Sequence, residues 1–288
     1  MPRRPRLAAG DLAYHVLNRR VGRLALFEKP ADYAAFESIL SQAHAQTKIR
    51  IAAYCLMPNH WHLLLWPRHD AELSEVLRWI TVTHSQRWHA HHQSAGSGPV
   101  YQGRFKSFPV QTDEHFLTVA RYVERNALRA RLADRAEDWR WSSLWRRVQT
   151  DSLFASWLSD WPMERPADWT SRVNRPHTAS ELEALRVSVQ RGRPFGDEGW
   201  VRRMAQRFGM VSTLRPRGGL TDREKKTPDP FYFHEKQRQP IGYSRDENGR
   251  PCATYEIKKD TAYETRCDYG GEYPASVSNP LSKQAPSR

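Results

Sequence analysis

Apolar and polar positions along the first half of the chain follow a strand period and a helix period in turn, and each switch marks an element. "YHVLNRRV" (Tyr14–Val21) reads as a strand. Pro30 then opens a helix to about Thr47, with apolar positions at Tyr33, Phe36, Ile39, Leu40 and Ala43. "IRIAAYCLM" (Ile49–Met57) is a second strand, and "MPNH" is a tight connection into a third. The third lies within "YCLMPNHWHLLLWP" (Tyr54–Pro67), a short run of large apolar residues closed by Pro67. Glu72 to about Ala90 carries Leu73, Val76, Leu77, Ile80 and Thr83/His84 on one helical stripe, and "QSAGSGP" is a loop. "GRFKSFPV" (Gly103–Val110) is a fourth strand, and Asp113 caps a long helix to about Leu132. The order β-α-β-β-α-β-α predicts an α+β fold. Its expected form is a ferredoxin-like antiparallel sheet with helices on one face and an added last helix.

Beyond Leu132 the pattern changes. "EDWRWSSLWRR" concentrates aromatics and arginines, and helical periods return at Ser180–Gln190 and Asp197–Phe208. Residues 1–135 are therefore read as one domain and 136–220 as an aromatic, basic, helical region. After "LRPRGGL" no period survives, and all 11 tryptophans precede Met204. Residues 221–288, with many Pro, Lys, Glu and Ser, are expected to be a disordered tail.

The polar exceptions inside the apolar runs carry the chemistry. On a strand, side chains alternate faces, so His60, His62, Leu64 and Trp66 share one face while Trp61, Leu63 and Leu65 share the other. Two buried imidazoles need partners. They are either hydrogen-bonded core residues or a pair converging on one cation, and the His-x-His pair alone names neither metal nor reaction. His84, His89, His91 and His92 cluster at a polar helix end and are read as solvated.

Charge narrows the partners. The 288 residues hold 45 Lys+Arg against 32 Asp+Glu, a net +13. The last 68 residues hold 12 against 11, so residues 1–220 hold 33 against 21 and carry nearly all the excess. Such a balance favours polyanions, nucleic acid first. Cys55, Cys252 and Cys267 suggest neither a disulfide framework nor a zinc ribbon. No apolar run reaches membrane-spanning length. "MPRRPRL" lacks the apolar segment of a signal peptide, so a cytoplasmic location is expected, with no membrane association.

The last helix of the first domain reads "DEHFLTVARYVERNALRARL". Phe116, Val119, Ala120, Val123 and Ala127 form its core stripe. Tyr122 sits at the stripe's edge, Asn126 lies one turn later, and Arg125 and Arg129 follow at i+3 and i+7 from the tyrosine.

A His-hydrophobic-His strand followed by a helix with Tyr-x-x-x-Asn resembles the single-tyrosine HUH transposases, and within them the REP-associated tyrosine transposases. "MPRRPRL", "YCLMPNHWHLLLWP", "YQGRFKSFPV", "ARYVERNALRARL" and "DWRWSS" carry the resemblance in order, and the region ending in "LRPRG" extends it to about residue 220. The resemblance implies a metal-dependent enzyme that cuts and rejoins single-stranded DNA beside hairpin-forming, REP-like palindromes. Tyr122 would attack the scissile phosphate to form a 5′-phosphotyrosine and leave a free 3′-OH. His60, His62 and Asn126 would hold one divalent cation, Mg²⁺ or Mn²⁺. Because the bond is retained as an ester, no nucleotide cofactor is needed. The subfamily, with its extra C-terminal region, is expected to be monomeric.

Arg125 and Arg129 are candidate DNA contacts. Arg104 and Lys106 alternate with Phe105 and could meet a phosphate backbone, and Arg3, Arg4 and Arg6 form a Pro-interrupted basic arm. Trp139, Trp141 and Trp145 are read as mini-core aromatics in preference to a base-stacking platform. A histidine-triad hydrolase needs a third alternating His, and position 64 is Leu. The main alternative is a non-catalytic hairpin-DNA-binding repressor or scaffold derived from a transposase.

Overall fold

The computed structural model describes residues 8–149 and 157–215, and the backbone of three strands further on. Four strands come first: β1 (Ala13–Arg19), β2 (Arg50–Met57), β3 (His60–Trp66) and β4 (Lys106–Val110). They form one antiparallel sheet in the order β2-β3-β1-β4, with α1 (Pro30–Thr47) between β1 and β2 and α2 (Glu72–His91) between β3 and β4. This is the expected α+β arrangement. β1, β2 and β3 are buried along nearly their whole length, so both faces of the sheet are covered. That explains why their sequences read as continuous apolar runs rather than alternations.

One face packs on α1 and α2. Trp61 meets Phe36 of α1 at 5.7 Å between ring centroids, and Phe36 meets His84 of α2 at 4.9 Å. The α1 start is prepared by Pro30 and by Asp32, whose carboxylate accepts from the backbone N–H of Glu28 and Lys29. His84 corrects the reading of a solvated histidine cluster. It is 4 % exposed, with Nδ1 2.7 Å from the Tyr101 hydroxyl, because position 84 falls on the inward stripe of α2. Burial pushes its pKa down to about 3. Between that value and about 6.5 the unfolded chain binds a proton that the folded chain refuses. The contribution of His84 is therefore fully present above pH 6.5 and is lost as pH falls towards 3. Unfolding free energy is expected to drop across that window by up to about 1.4 kcal/mol per pH unit from this residue. Urea titrations of wild type and His84→Gln should show a shallower slope in the variant.

The other face packs on α3 (Glu114–Glu124) and α4 (Asn126–Arg129). The following α5 (Ser143–Val148), α6 (Trp169–Asn174), α7 (Ala179–Arg191) and α8 (Glu198–Arg207) belong to the same compact unit. This region also closes both edges of the sheet. On β2, Leu56 N–H donates to Trp141 O, and Ser159 N–H donates to Ile51 O. On β4, Phe195 N–H donates to Pro109 O, and Gln111 N–H donates to Phe195 O. Exposed strand edges invite pairing with other chains, and here the chain covers its own. A buried cluster adds to the join: Glu37 of α1 accepts from the Tyr54 hydroxyl and ion-pairs with Arg146 of α5 at 2.6 Å. Trp139 and Trp141 are core residues, the first donating its indole N–H to Leu56 O, the second stacked on Tyr33.

A second compact unit, Gln239–Arg288, contains β5 (Gly242–Arg245), β6 (Pro251–Lys259) and β7 (Ala262–Cys267), paired antiparallel in that order. Over these spans the backbone is paired where a structureless tail was expected. The β-formers Thr254, Tyr255 and Ile257 sit in β6 among the Pro, Lys and Ser that dominate the composition of the segment. The rest of 221–288 lies outside the described residues.

Candidate functional site

β3 presents His60 and His62 two residues apart, and their rings lean together to 4.9 Å between centroids at 78°. Both are buried, at 2 % and 0 % exposure. Each has its Nδ1 engaged. Asn59, whose Nδ2 donates to Arg23 O, turns its Oδ1 to within 2.6 Å of His60 Nδ1, so that nitrogen carries the proton. His62 Nδ1 lies 2.9 Å from Nε2 of His15, a buried residue of β1 on the same face. Burial holds His15 down to a pKa of about 3. Burial also holds His62 well below the usual histidine range, helped by the neighbouring His60, His15 and Arg129. Both rings are neutral at neutral pH.

α3 lies across this pair, started by Asp113, which accepts from His115 N–H. Tyr122 is 4 % exposed and meets three imidazoles edge-on: His62 at 5.7 Å, His15 at 5.8 Å and His177 at 6.1 Å. The Arg129 guanidinium stands 5.2 Å from the Tyr122 ring centroid. Asn126 donates through Nδ2 to Tyr122 O at 2.8 Å and to Val123 O at 3.4 Å, and its Oδ1 accepts from Arg129 at 3.1 Å. That side chain corrects the expectation of one unbroken helix from Asp113 to about Leu132. By taking carbonyls from the preceding turn it competes with the backbone, and the helix divides at Arg125.

The structure therefore brings Tyr122, His60, His62 and Asn126, all buried, and the half-buried Arg129 into one cluster. Arg125 borders it, half-buried, its pKa lowered by burial and by Arg121 and Arg129. Arg104 precedes β4 instead of lying on it, yet it lines a cavity of about 190 Å³ together with Lys106, Arg19 and Asn18. Arg3, Arg4 and Arg6 lie outside the described residues. Among the described residues, no three His, Cys, Asp or Glu side chains group as a metal site. A cation here would need the Asn126 oxygen as its third protein ligand.

Sequence reasoning missed His15, His177 and Glu124. His177 and Glu181 come from the start of α7, where Thr178 and Glu181 form a reciprocal cap. Arg121 ion-pairs with Glu181 at 2.6 Å and donates to His177 Nε2, which holds this segment against the tyrosine helix. Glu124 is fully buried two residues after Tyr122, accepting from Ser143 Oγ at 2.5 Å and from Trp169 Nε1 at 2.6 Å. Burial raises its pKa. An acidic residue between Val123 and the Asn126 turn was the available signal. Glu124→Ala leaves the buried Trp169 Nε1 without its acceptor, while Ser143 Oγ keeps Tyr54 O, and is expected to cost about 1–3 kcal/mol. A lower urea midpoint at unchanged slope would register that loss.

The fold and the cluster define an α+β domain with a tyrosine-bearing helix laid over paired strand imidazoles. Residues 8–126 match the family described as "Transposase IS200 like". None of the curated proteins compared matches the chain significantly. Among solved structures it is similar to a REP-associated tyrosine transposase bound to a REP hairpin, at 19 % identity and TM-score 0.43, over 51 % of this chain and 85 % of that one. It is also similar to a proposed transposase from Deinococcus radiodurans R1, at 18 % identity and TM-score 0.31, over 43 % and 96 % of the two chains. No helix among the described residues is long and apolar enough to cross a membrane.

Proposed function

We propose that this protein is a single-strand DNA endonuclease and strand transferase of the REP-associated tyrosine type, acting beside hairpin-forming palindromes. One observation carries the reading: Tyr122 and the His60–His62 pair, distant in sequence, meet across the sheet at 5.7 Å between the Tyr122 and His62 rings.

Tyr122 is the nucleophile. Its oxygen forms a bond to the scissile phosphorus, the bond to the 3′-oxygen breaks, and that oxygen leaves as a 3′-OH. The product is a 5′-phosphotyrosine, which a 3′-OH can later attack to reseal a strand without a nucleotide cofactor. Because Tyr122 is 4 % exposed, the side chains over it must move aside for a phosphodiester, His177 and Arg129 among them.

The donor set fits a divalent cation, Mg²⁺ or Mn²⁺. His60 Nδ1 is protonated towards Asn59, so its lone pair lies on Nε2. The equivalent tautomer of His62 donates from Nδ1 to His15, an arrangement usual for ligating histidines. Asn126 Oδ1 supplies a neutral oxygen, oriented by the anchored Nδ2. A bound cation would offset phosphate charge during attack. The excess of Lys and Arg over residues 1–220, Arg125 and Arg129 foremost, supplies attraction to the DNA backbone. Both sheet edges are covered by the chain itself, which supports a monomer over a dimer built by edge pairing.

The direct experiment mixes purified protein with single-strand-flanked hairpin DNA and Mn²⁺, then resolves products on a denaturing gel. A covalent protein–DNA band supports the enzyme. Tight hairpin binding with no such band under any divalent metal would favour a non-catalytic binder.

A further inference from the structure

His15 is fully buried on β1, with Leu64 of β3 and Phe108 of β4 as its cross-strand neighbours. The Phe108 ring lies 4.9 Å from it between centroids and the Tyr122 ring 5.8 Å, so apolar and aromatic surfaces enclose the imidazole. Its Nδ1 is buried and has no hydrogen-bond partner among the described residues, while its Nε2 lies 2.9 Å from His62 Nδ1. A buried polar atom left unpaired costs free energy, and an apolar side chain would fill this position without that cost. What the imidazole adds is its bond to His62.

The two strand histidines differ in what holds them. Asn59 Oδ1, 2.6 Å from His60 Nδ1, can only accept, so the His60 proton is fixed on that nitrogen. The atom facing His62 Nδ1 is an imidazole nitrogen, which accepts or donates according to where its ring carries the proton. Two arrangements are open to the pair. In one, His15 Nε2 donates and His62 keeps its own proton on Nε2, the nitrogen that would meet a cation. In the other, His15 Nε2 accepts, His62 carries its proton on Nδ1, and the lone pair of His62 Nε2 can ligate. The His15 proton then lies on Nδ1, between Leu64 and Phe108. Either way the two neutral rings hold two N–H protons, so passing between the arrangements takes up and releases no net proton. Metal-bound histidines usually have their tautomer fixed by a carboxylate, a backbone carbonyl or water. Here a second imidazole fills that place.

We propose that His15 is a positioning residue for the cation: its Nε2 decides which nitrogen of His62 carries the proton, and a bound cation locks both rings in the ligating arrangement. This rests on the metal-dependent reading above. The test measures Mn²⁺ binding to the full chain by electron paramagnetic resonance of the free ion, which needs neither DNA nor turnover. His15→Phe keeps a buried ring, removes the acceptor, and should weaken Mn²⁺ binding about 10–100-fold. His15→Gln returns a carbonyl acceptor at similar reach and should bring affinity back to within about threefold of wild type. A folded His15→Phe that binds Mn²⁺ as wild type does overturns the inference. So does a His15→Gln that binds no better than His15→Phe, which would make His15 a packing residue. If His15→Phe fails to fold, ¹⁵N spectra of the histidine-labelled wild-type chain saturated with diamagnetic Zn²⁺ decide. The His15 proton is expected on Nδ1, and a proton on Nε2 overturns the inference. Each of these results leaves the metal-dependent reading standing. A wild-type chain that binds no Mn²⁺ overturns both, and the covalent protein–DNA band then tests the tyrosine chemistry by itself.

Discussion

Tyr122→Phe is expected to eliminate the covalent protein–DNA adduct and lower strand cleavage by about a thousandfold or more, the scale on which enzymes lose turnover without their nucleophile. The change removes one oxygen and keeps the ring, so the edge contacts to His62, His15 and His177 persist. Folding free energy should shift by no more than about 1.5 kcal/mol, the range for a single hydrogen-bonding hydroxyl. Hairpin affinity should be unchanged, because the phenol makes no contribution to net charge. The neighbouring tyrosines cannot substitute. Tyr101 is fixed on the opposite face of the sheet, where its hydroxyl accepts from Trp61 Nε1 and contacts His84, and burial raises its pKa. The Tyr14 hydroxyl donates to Ala9 O, and burial raises its pKa also. An adduct that persists in Tyr122→Phe would remove the nucleophile from this helix altogether.

What was legible in the chain follows from the range of each signal. Periodicity is local, so β3 and the stripe of α3 could be read from Leu63–Leu65 and from Phe116, Val119 and Val123, and the α+β order followed. The relation of His60 to His62 is also local, as is that of Tyr122 to Asn126. His15 was not legible, because its approach to His62 depends on the register of β1 against β3, which pairs Leu17 with His62. The partners of Glu124 come from Ser143 and Trp169, 19 and 45 residues away. The closing of both sheet edges by Trp141, Ser159 and Phe195 uses backbone groups, which every residue carries, so no pattern announces it. The division of the helix at Arg125 turned on one competing amide, the kind of side-chain bond that propensity averages conceal.

The paired histidines lead to the second large effect. His60→Ala is expected to reduce cleavage by about a thousandfold or more, with hairpin affinity held within about threefold, and chelation of the wild-type protein should reproduce the loss. His60 is the better probe than His62. Removing the His62 ring also strips His15 Nε2 of its partner inside the core, where an unsatisfied polar atom costs about 1–3 kcal/mol, and a fall in activity would then mix chemistry with folding. A readout independent of activity comes from mass action: a ligand that binds only the folded state raises the melting temperature with its concentration. Mn²⁺ should therefore stabilise the wild-type protein and leave His60→Ala unmoved. Arg129 supplies the opposite sign. Its guanidinium sits on Asn126 Oδ1, so it competes for that oxygen and repels a cation nearby. Arg129→Gln should steepen the Mn²⁺ response of the melting temperature even as it weakens hold on the DNA backbone. If Mn²⁺ stabilises His60→Ala as much as the wild type, the metal sits elsewhere and the imidazole pair is a hydrogen-bonded core device held by Asn59 and His15.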